Sequence, residues 1–381
     1  MTTFFEQLAQ AGDGHVDERI ARELSTLQKR FLEAAETIRT TRFLGPDGNP
    51  RPVEALPWYV ILGAPGSGKT TALLNSGLRF PLYSASSAAS VAGVGGTRNC
   101  DWWFAEEAVL LDTAGRYTTQ QSDRRADAAA WQGFLALVKQ FRPERPLHGA
   151  MVTVSVMDLL LWTKAERSKF ATHVRMRLAE MYAALGMRFP IYVLVTKTDL
   201  LAGFTELFGD LDSQARGQVW GTTFELGLDP AWMAPSYAKD FEALEKRLGG
   251  EMLARLHEEP DLQRRAAIYR FPQQFHTLGP LLGEFLALTF GTQVDGQPLM
   301  LRGCYFTSGT QEGNPIDRVL GALERTFRLE RERTAGPLSG TGRSYFVNRL
   351  LREVVLSETG LAQLDPERPA PEAAEEETPS S

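Results

Sequence analysis

Ile20, Leu24, Leu27, Phe31, Ala34 and Ile38 recur at spacings of three and four, which sets them along one face of a helix. The string GPDGNPRP at 45–52 closes that pattern with turn-forming residues. Beyond it the texture changes to short apolar runs at 58–62, 108–111, 150–156, 191–195 and 299–306, separated by Gly-rich turns and helical stretches. The runs are apolar at consecutive positions, as strands covered on both faces must be. Residues 100–104 and 109–111 flank the tight segment Ala105-Glu106-Glu107 and predict an antiparallel hairpin. Phe170, Val174, Leu178, Met181 and Leu185 form a helical stripe between two of the runs, and this alternation predicts an open α/β sheet.

Strand texture vanishes between about 204 and 292. Phe241, Leu244, Leu248, Met252 and Leu256 make one amphipathic stripe there, and Phe275, Leu278, Leu282, Phe285 and Thr289 make another that Pro280 is expected to bend. Further helices are expected at 316–327 and 344–356. The organisation read from these patterns is an N-terminal helical segment at 1–45, an α/β domain at 50–203 and 293–330, a helical insert at 204–292, a C-terminal helix at 331–361 and a tail at 362–381.

The 381 residues, 43% hydrophobic and 23% charged, suit one elaborate domain or two modest ones and exclude wholesale disorder. No apolar stretch reaches the roughly 18–20 residues that cross a bilayer, and MTTFFEQLAQAGDG has neither the basic nor the apolar part of a secretory signal. Cys100 and Cys304 have no metal-like spacing and imply no disulfide framework, which suits a reducing compartment. The net charge of -6 resides mostly in the tail, where six acids and one base give -5 and leave the body at -1. A clustered basic face for nucleic acid is not evident, and the Pro-, Glu- and Ala-rich tail reads as a solvated, disordered end.

The strongest chemical signal is Gly63-Ala64-Pro65-Gly66-Ser67-Gly68-Lys69-Thr70, followed by Thr71, between the strand WYVIL and the helical TALLNSGL. This is G-x-x-x-x-G-K-[ST] in the strand-to-helix setting it requires. Its glycines let backbone N–H groups face inward as an anion nest, and the new helix adds its positive end. Lys69 is suited to reach β- and γ-phosphates, and the Thr70 hydroxyl to ligate Mg²⁺. A second element, Leu110-Leu111-Asp112-Thr113-Ala114-Gly115, ends a strand in D-x-x-G, where Asp112 can hold Mg²⁺ through water and the Gly115 N–H can meet a γ-phosphate. The third, Thr196-Lys197-Thr198-Asp199, ends the strand IYVLV. A carboxylate there accepts from the paired N–H donors of guanine while the lysine stem covers the base, so the element favours GTP over ATP.

Three such elements in this order, each at a strand's carboxyl end, resemble the Ras-like GTPase superfamily. The resemblance implies a P-loop GTPase-like open sheet, mostly parallel with one antiparallel edge strand, plus the N-terminal helix and the all-helical insert. It also implies that the Gly-rich segment 84–99 is a switch loop with Thr97 sensing Mg²⁺, and that Thr307-Ser308-Gly309-Thr310 contacts the guanine carbonyl. The residue after D-x-x-G is Arg116 where small GTPases carry a water-orienting Gln. Arg116 can act as an internal arginine finger or be a surface residue, and Gln120 and Gln121 lie close enough in sequence to replace the missing Gln. Hydrolysis is therefore expected to be slow or partner-dependent. His15, His148, His173, His257 and His276 lack ligand spacing, and no nucleophile-elbow motif supports Ser-His-Asp chemistry. Trp58, Trp102, Trp103 and Trp131 are expected to pack the core or the sheet's edge.

Longer strings carry a narrower resemblance. PWYVILGAPGSGKTTALLNSGLRFPL, GVGGTRNCDWWF, VLLDTAGRYTTQ, VLVTKTDL, LRGCYFTSGTQEG and SYFVNRLLREVV are similar to the cytoplasmic portion of the TssM/IcmF family, over about residues 50–360. Members are inner-membrane components of bacterial type VI secretion systems, with relatives in type IVB systems. The resemblance implies a cytoplasmic-face fragment of a longer membrane protein, with TssL and baseplate components as partners. Some members retain the P-loop and others lack it, and the family is often described as binding ATP. The guanine reading of residues 196–199 favours GTP.

Overall fold

The computed structural model describes residues 14–44, 50–82, 100–120, 123–293, 297–309 and 343–364. Its main sheet contains β1 (Trp58–Gly63), β2 (Cys100–Phe104), β3 (Val109–Thr113), β4 (Gly149–Ser155), β5 (Ile191–Thr196), β6 (Gly221–Thr223) and β7 (Leu301–Phe306). Their order across the sheet is β2-β3-β1-β4-β5-β7-β6. The strands from β3 to β7 in that order run parallel. At one edge β2 pairs antiparallel with β3, forming the expected hairpin.

The opposite edge corrects the expectation of a single antiparallel strand, because β6 also pairs antiparallel, with β7. Gly221-Thr222-Thr223 falls inside the stretch expected to be all helical. Three small or polar residues carry no hydropathy signal, and only the sheet edge offered by Gly303–Tyr305 makes them a strand. Gly221 is required there, since a Cβ would stand 2.3 Å from the Cys304 carbonyl oxygen.

Helices around the sheet include α1 (Gly14–Thr40), α2 (Lys69–Leu74), α3 (Gly115–Thr119), α4 (Arg124–Phe141), α5 (Val156–Leu161), α6 (Lys164–Leu185), α7 (Phe204–Phe208), α8 (Met233–Glu258) and α9 (Leu262–Phe290). Strand side chains alternate between two cores, as the pleat dictates. Val60, Leu62, Leu111, Val152 and Val193 join the larger core with α1, α4 and α6. Tyr59, Ile61, Leu110, Met151, Tyr192 and Tyr305 point into a smaller one with Leu73 of α2 and Val347, Leu350, Leu351 and Val355 near the C-terminus. The stripe of α1 is buried from Ile20 to Ile38, and Trp58, Trp102, Trp103 and Trp131 are all core residues. α8 and α9 pack on each other, and α9 runs unbroken through Pro272 and Pro280. No helix among the described residues is long and apolar enough to cross a membrane.

Two further expectations need correction. The string expected to form a helix at 344–356 begins as a strand, Ser344–Tyr345, paired with Ser308–Gly309. Phe346 then takes a left-handed φ of 63°, which no helix tolerates, and its N–H donates to the Arg216 carbonyl. Helical turns start only after it and continue in wide and tight form through Leu361. Burial of Tyr345 and Phe346 among Phe204, Phe208 and Trp220 holds this conformation. In the tail, Gln363 and Leu364 pair with Arg188 and Met187, and the rest lies outside the described residues. The helix expected at 316–327, the switch segment 84–99 with Thr97, Gln121 and Thr310 also lie outside them.

Candidate functional site

The turn from β1 into α2 is built from positions that reject other residues. Gly63 has φ 151°, and a Cβ there would lie 2.1 Å from the Thr153 hydroxyl on β4. Gly68 caps α2 with φ 91°, its missing Cβ position 3.3 Å from Thr196 Oγ1. Between them Ser67 Oγ shares a 2.7 Å hydrogen bond with Thr153 Oγ1, while Ser67 N–H donates to the Ala64 carbonyl at 3.1 Å. Gly66, with φ 74°, borders open space where a Cβ would stand. The loop thus has a rigid inner wall and an open outer side.

Lys69 is buried and its Nζ donates to the carbonyls of Gly63 and Ala64, at 3.1 and 3.0 Å. Burial lowers the pKa of this ammonium, an effect that Asp112 and Asp158 offset in part. The adjacent Thr70 hydroxyl donates to Asp112 Oδ2 at 2.6 Å, across the carboxyl ends of β1 and β3. Gly115 passes so close to the loop that a Cβ would stand 2.3 Å from Pro65 N. Thr118 Oγ1, one turn on, accepts from Gly63 N–H at 3.2 Å.

From the other side come the ends of β5 and β7. Thr196 Oγ1 donates to the Ser67 carbonyl, and Lys197, at a left-handed φ of 61°, places its Nζ on the Gly66 carbonyl. Asp199 Oδ1 accepts from Ser308 Oγ at 2.6 Å. Gly309 follows directly, its missing Cβ position 3.0 Å from Thr71 Cγ2. Lys69, Thr70, Thr71, Asp112, Gly115, Thr196, Lys197, Asp199, Ser308 and Gly309 therefore gather around one loop. This is the carboxyl-end rim where open α/β sheets collect ligands.

Arg116 lies apart from this convergence. Its Nη1 donates to Glu23 of α1 at 3.1 Å and to Asp127 of α4 at 2.7 Å. Gln120 also has a left-handed φ, 48°, and its buried Nε2 has no hydrogen-bond partner among the described residues. Sequence reasoning missed Thr118, Thr153 and Asp158. Thr153 is a polar break within an apolar strand and Thr118 a polar residue in the short helix α3, signals too common to single out. Asp158, in the first turn of α5, follows the end of β4, and the same carboxyl-end rule applied to that strand would have found it. Burial lifts its carboxyl to about 6, against the lowering pull of Lys197 and Lys69.

The observed groups fit a phosphate and a divalent cation: a hydroxyl and carboxylate 2.6 Å apart, a buried ammonium beside them, and open space over Gly66. The loop sits between them at the start of a helix, where backbone N–H groups favour anions.

Comparison with known proteins adds two findings. A protein-family model described as the IcmF-related N-terminal domain matches residues 124–373, which leaves the β1–α2 loop and Asp112 outside the match. The chain is also 50% identical over 348 residues to the type VI secretion system component TssM1 of Pseudomonas aeruginosa, covering 91% of this chain and 31% of that protein. It thus spans about a third of the relative's length.

Proposed function

Because the chain belongs to the IcmF-related family, we propose that it is the nucleotide-binding part of a type VI secretion component, carrying GTP and Mg²⁺ in a P-loop GTPase-like fold at the cytoplasmic face of the inner membrane. The 2.6 Å bond between Thr70 and Asp112, with Lys69 adjacent, carries this reading. Lys69 would hold the β- and γ-phosphates and the loop N–H groups would cradle them. Thr70 and Asp112 would hold the cation, which neutralises phosphate charge. Asp199, oriented by Ser308, supports guanine over adenine: a carboxylate held at a strand end is a good acceptor for guanine's paired donors.

The observed position of Arg116 supports a slow or partner-dependent reaction. Ion-paired to Glu23 and Asp127, it is held away from the role of an internal finger. That same observation favours a second reading, in which the fold docks membrane-complex and baseplate proteins and the nucleotide is structural. Under the switch reading, partners such as TssL bind according to nucleotide state.

Titration with GTP, ATP and XTP tests the reading. Lys69→Ala should lose at least tenfold in affinity, and Asp199→Asn should shift preference toward XTP. A Lys69→Ala protein that binds GTP as tightly as the parent would defeat nucleotide binding at this loop. ATP binding that ignores Asp199→Asn would replace GTP by ATP. Equal capture of TssL with and without nucleotide would favour the docking reading.

A further inference from the structure

One face of α1 contacts the β3 side of the candidate site at two places. Glu23 and Arg30 are seven residues apart, two helical turns, so they project from the same face that buries Leu24, Leu27 and Phe31. Glu23 meets Arg116 at 3.1 Å, the residue directly after Gly115, whose backbone packs on Pro65 of the loop. Arg30 Nη1 meets Asp101 Oδ1 at 3.2 Å, and Asp101 is the cross-strand partner of Asp112. Asp112 in turn holds Thr70. Two separate chains of contact thus run from one helix toward the site, one through Arg116 and Gly115 to Pro65 of the loop and one through Asp101 to the Asp112–Thr70 pair.

Both links end on carboxylates buried in the fold, Asp127 beside Arg116 and Asp101 beside Arg30. Losing Arg30 weakens the compensation of a buried carboxylate, whereas losing Glu23 leaves Arg116 still paired with Asp127. The two contacts also differ in polarity, with α1 supplying the acid in one and the base in the other. A helix shifted along its axis would break both together.

We propose that α1 is a docking lever for the nucleotide site: its seating through Glu23 and Arg30 holds segment 112–116 against the loop, and bound nucleotide in turn tightens the seating of α1. The proposal rests on the nucleotide reading above and adds its regulation. Reciprocity is a thermodynamic requirement, since any effect of α1 on affinity must appear as an equal effect of nucleotide on α1.

The test uses this chain with GTP·Mg²⁺ and measures affinity together with backbone amide exchange along residues 14–40. In the parent, nucleotide should slow exchange in α1 although no α1 residue belongs to the loop. Glu23→Gln and Arg30→Gln should each weaken GTP by about fivefold or more, the lower end of ordinary coupling, and should reduce the slowing. Lys29→Gln, on the exposed side of the same helix, should behave as the parent. Thermal melts identify any variant that fails to fold, and the parent's exchange response decides the matter without variants. If the parent binds no nucleotide, both the reading and the lever fall. If it binds but α1 exchange is unchanged, or Glu23→Gln and Arg30→Gln bind as tightly as the parent, the lever alone falls.

Discussion

Asp101 stands directly opposite Asp112 in the β2–β3 ladder, and a different element answers each carboxylate: Arg30 of α1 at 3.2 Å and Thr70 of α2 at 2.6 Å. Like charges paired across a ladder repel, so the charge of Arg30 and the hydrogen bond from Thr70 matter to the fold as well as to the site. Arg30 is about one-third exposed while Asp101 is buried, which reduces but does not remove the cost of separating them. Arg30→Gln should therefore destabilise the chain by about 2 kcal/mol in urea melts, less than the usual loss for a fully buried pair. Arg30→Gln combined with Asp101→Asn should recover at least half of that loss. Equal stabilities for parent and single variant would show that the contact contributes nothing.

Thr70→Val keeps the shape of the side chain and deletes the hydroxyl that Asp112 accepts from. The charge-assisted bond is worth roughly 1.5–3 kcal/mol, so the melting transition should fall by that order. Affinity for GTP should lose its dependence on Mg²⁺ in the same variant, measured by titration with and without chelator. Retained Mg²⁺ dependence would place the cation elsewhere.

Two groups partly or wholly shielded from water titrate in opposite senses below neutrality. Burial raises the Asp158 carboxyl to about 6, so the folded chain takes up this proton before the unfolded chain does, and stability increases as pH falls from above 6 toward 4. His148 Nδ1 accepts from the Trp58 N–H at 3.1 Å, and burial, with Arg142 and Arg145 adding, lowers its pKa to about 4. The unfolded chain then binds the extra proton between about 6.5 and 4, so this group costs stability over the same window. Asp158→Asn should raise the melting temperature at pH 8, match the parent near pH 4, and show a steeper acid decline in between. His148→Asn, which keeps an acceptor, should show a shallower one. Parallel pH profiles for all three proteins would refute the assignment.

Glu358 ties the last described segment to the sheet. It takes two bonds from Arg302, at 2.6 and 3.0 Å, and one from the Tyr192 hydroxyl at 2.7 Å. Removing one member leaves the other charge buried, so Glu358→Ala should cost about 3 kcal/mol, while Glu358→Gln should cost less. Because Val347, Leu350 and Leu351 of this segment share the small core with Leu73 of α2, the loss should also show as faster amide exchange in α2. Unchanged exchange there would mean the segment is not coupled to the loop helix.

The elements with a strong local period were legible in the sequence. The stripes of α1, α6 and α9 and the apolar strands β1, β4 and β5 were read correctly because burial demands apolar residues at fixed intervals, and the interval names the element. The β2–β3 hairpin followed from its short turn. The β6 strand and the Ser344–Tyr345 rung were not legible, since each is an edge pairing imposed by a neighbour on residues with no strand pattern of their own. The left-handed φ of Phe346 was equally hidden, for only the aromatic cluster around Trp220 selects it.

At the site the division has the same cause. Lys69, Thr70, Asp112 and Asp199 could be named from the chain as candidates because the proposed phosphate and base contacts call for those residue types at set distances from a strand end, which is local information. The partners of Arg116 could not, because Glu23 lies 93 residues away and Asp127 on a separate helix, and only packing brings the three together. The chain by itself determined which side chains are available for chemistry and which faces are apolar. Tertiary structure decided where their charges are neutralised, because an ion pair between distant residues is selected by the geometry of the surrounding fold and leaves no periodic trace in the sequence.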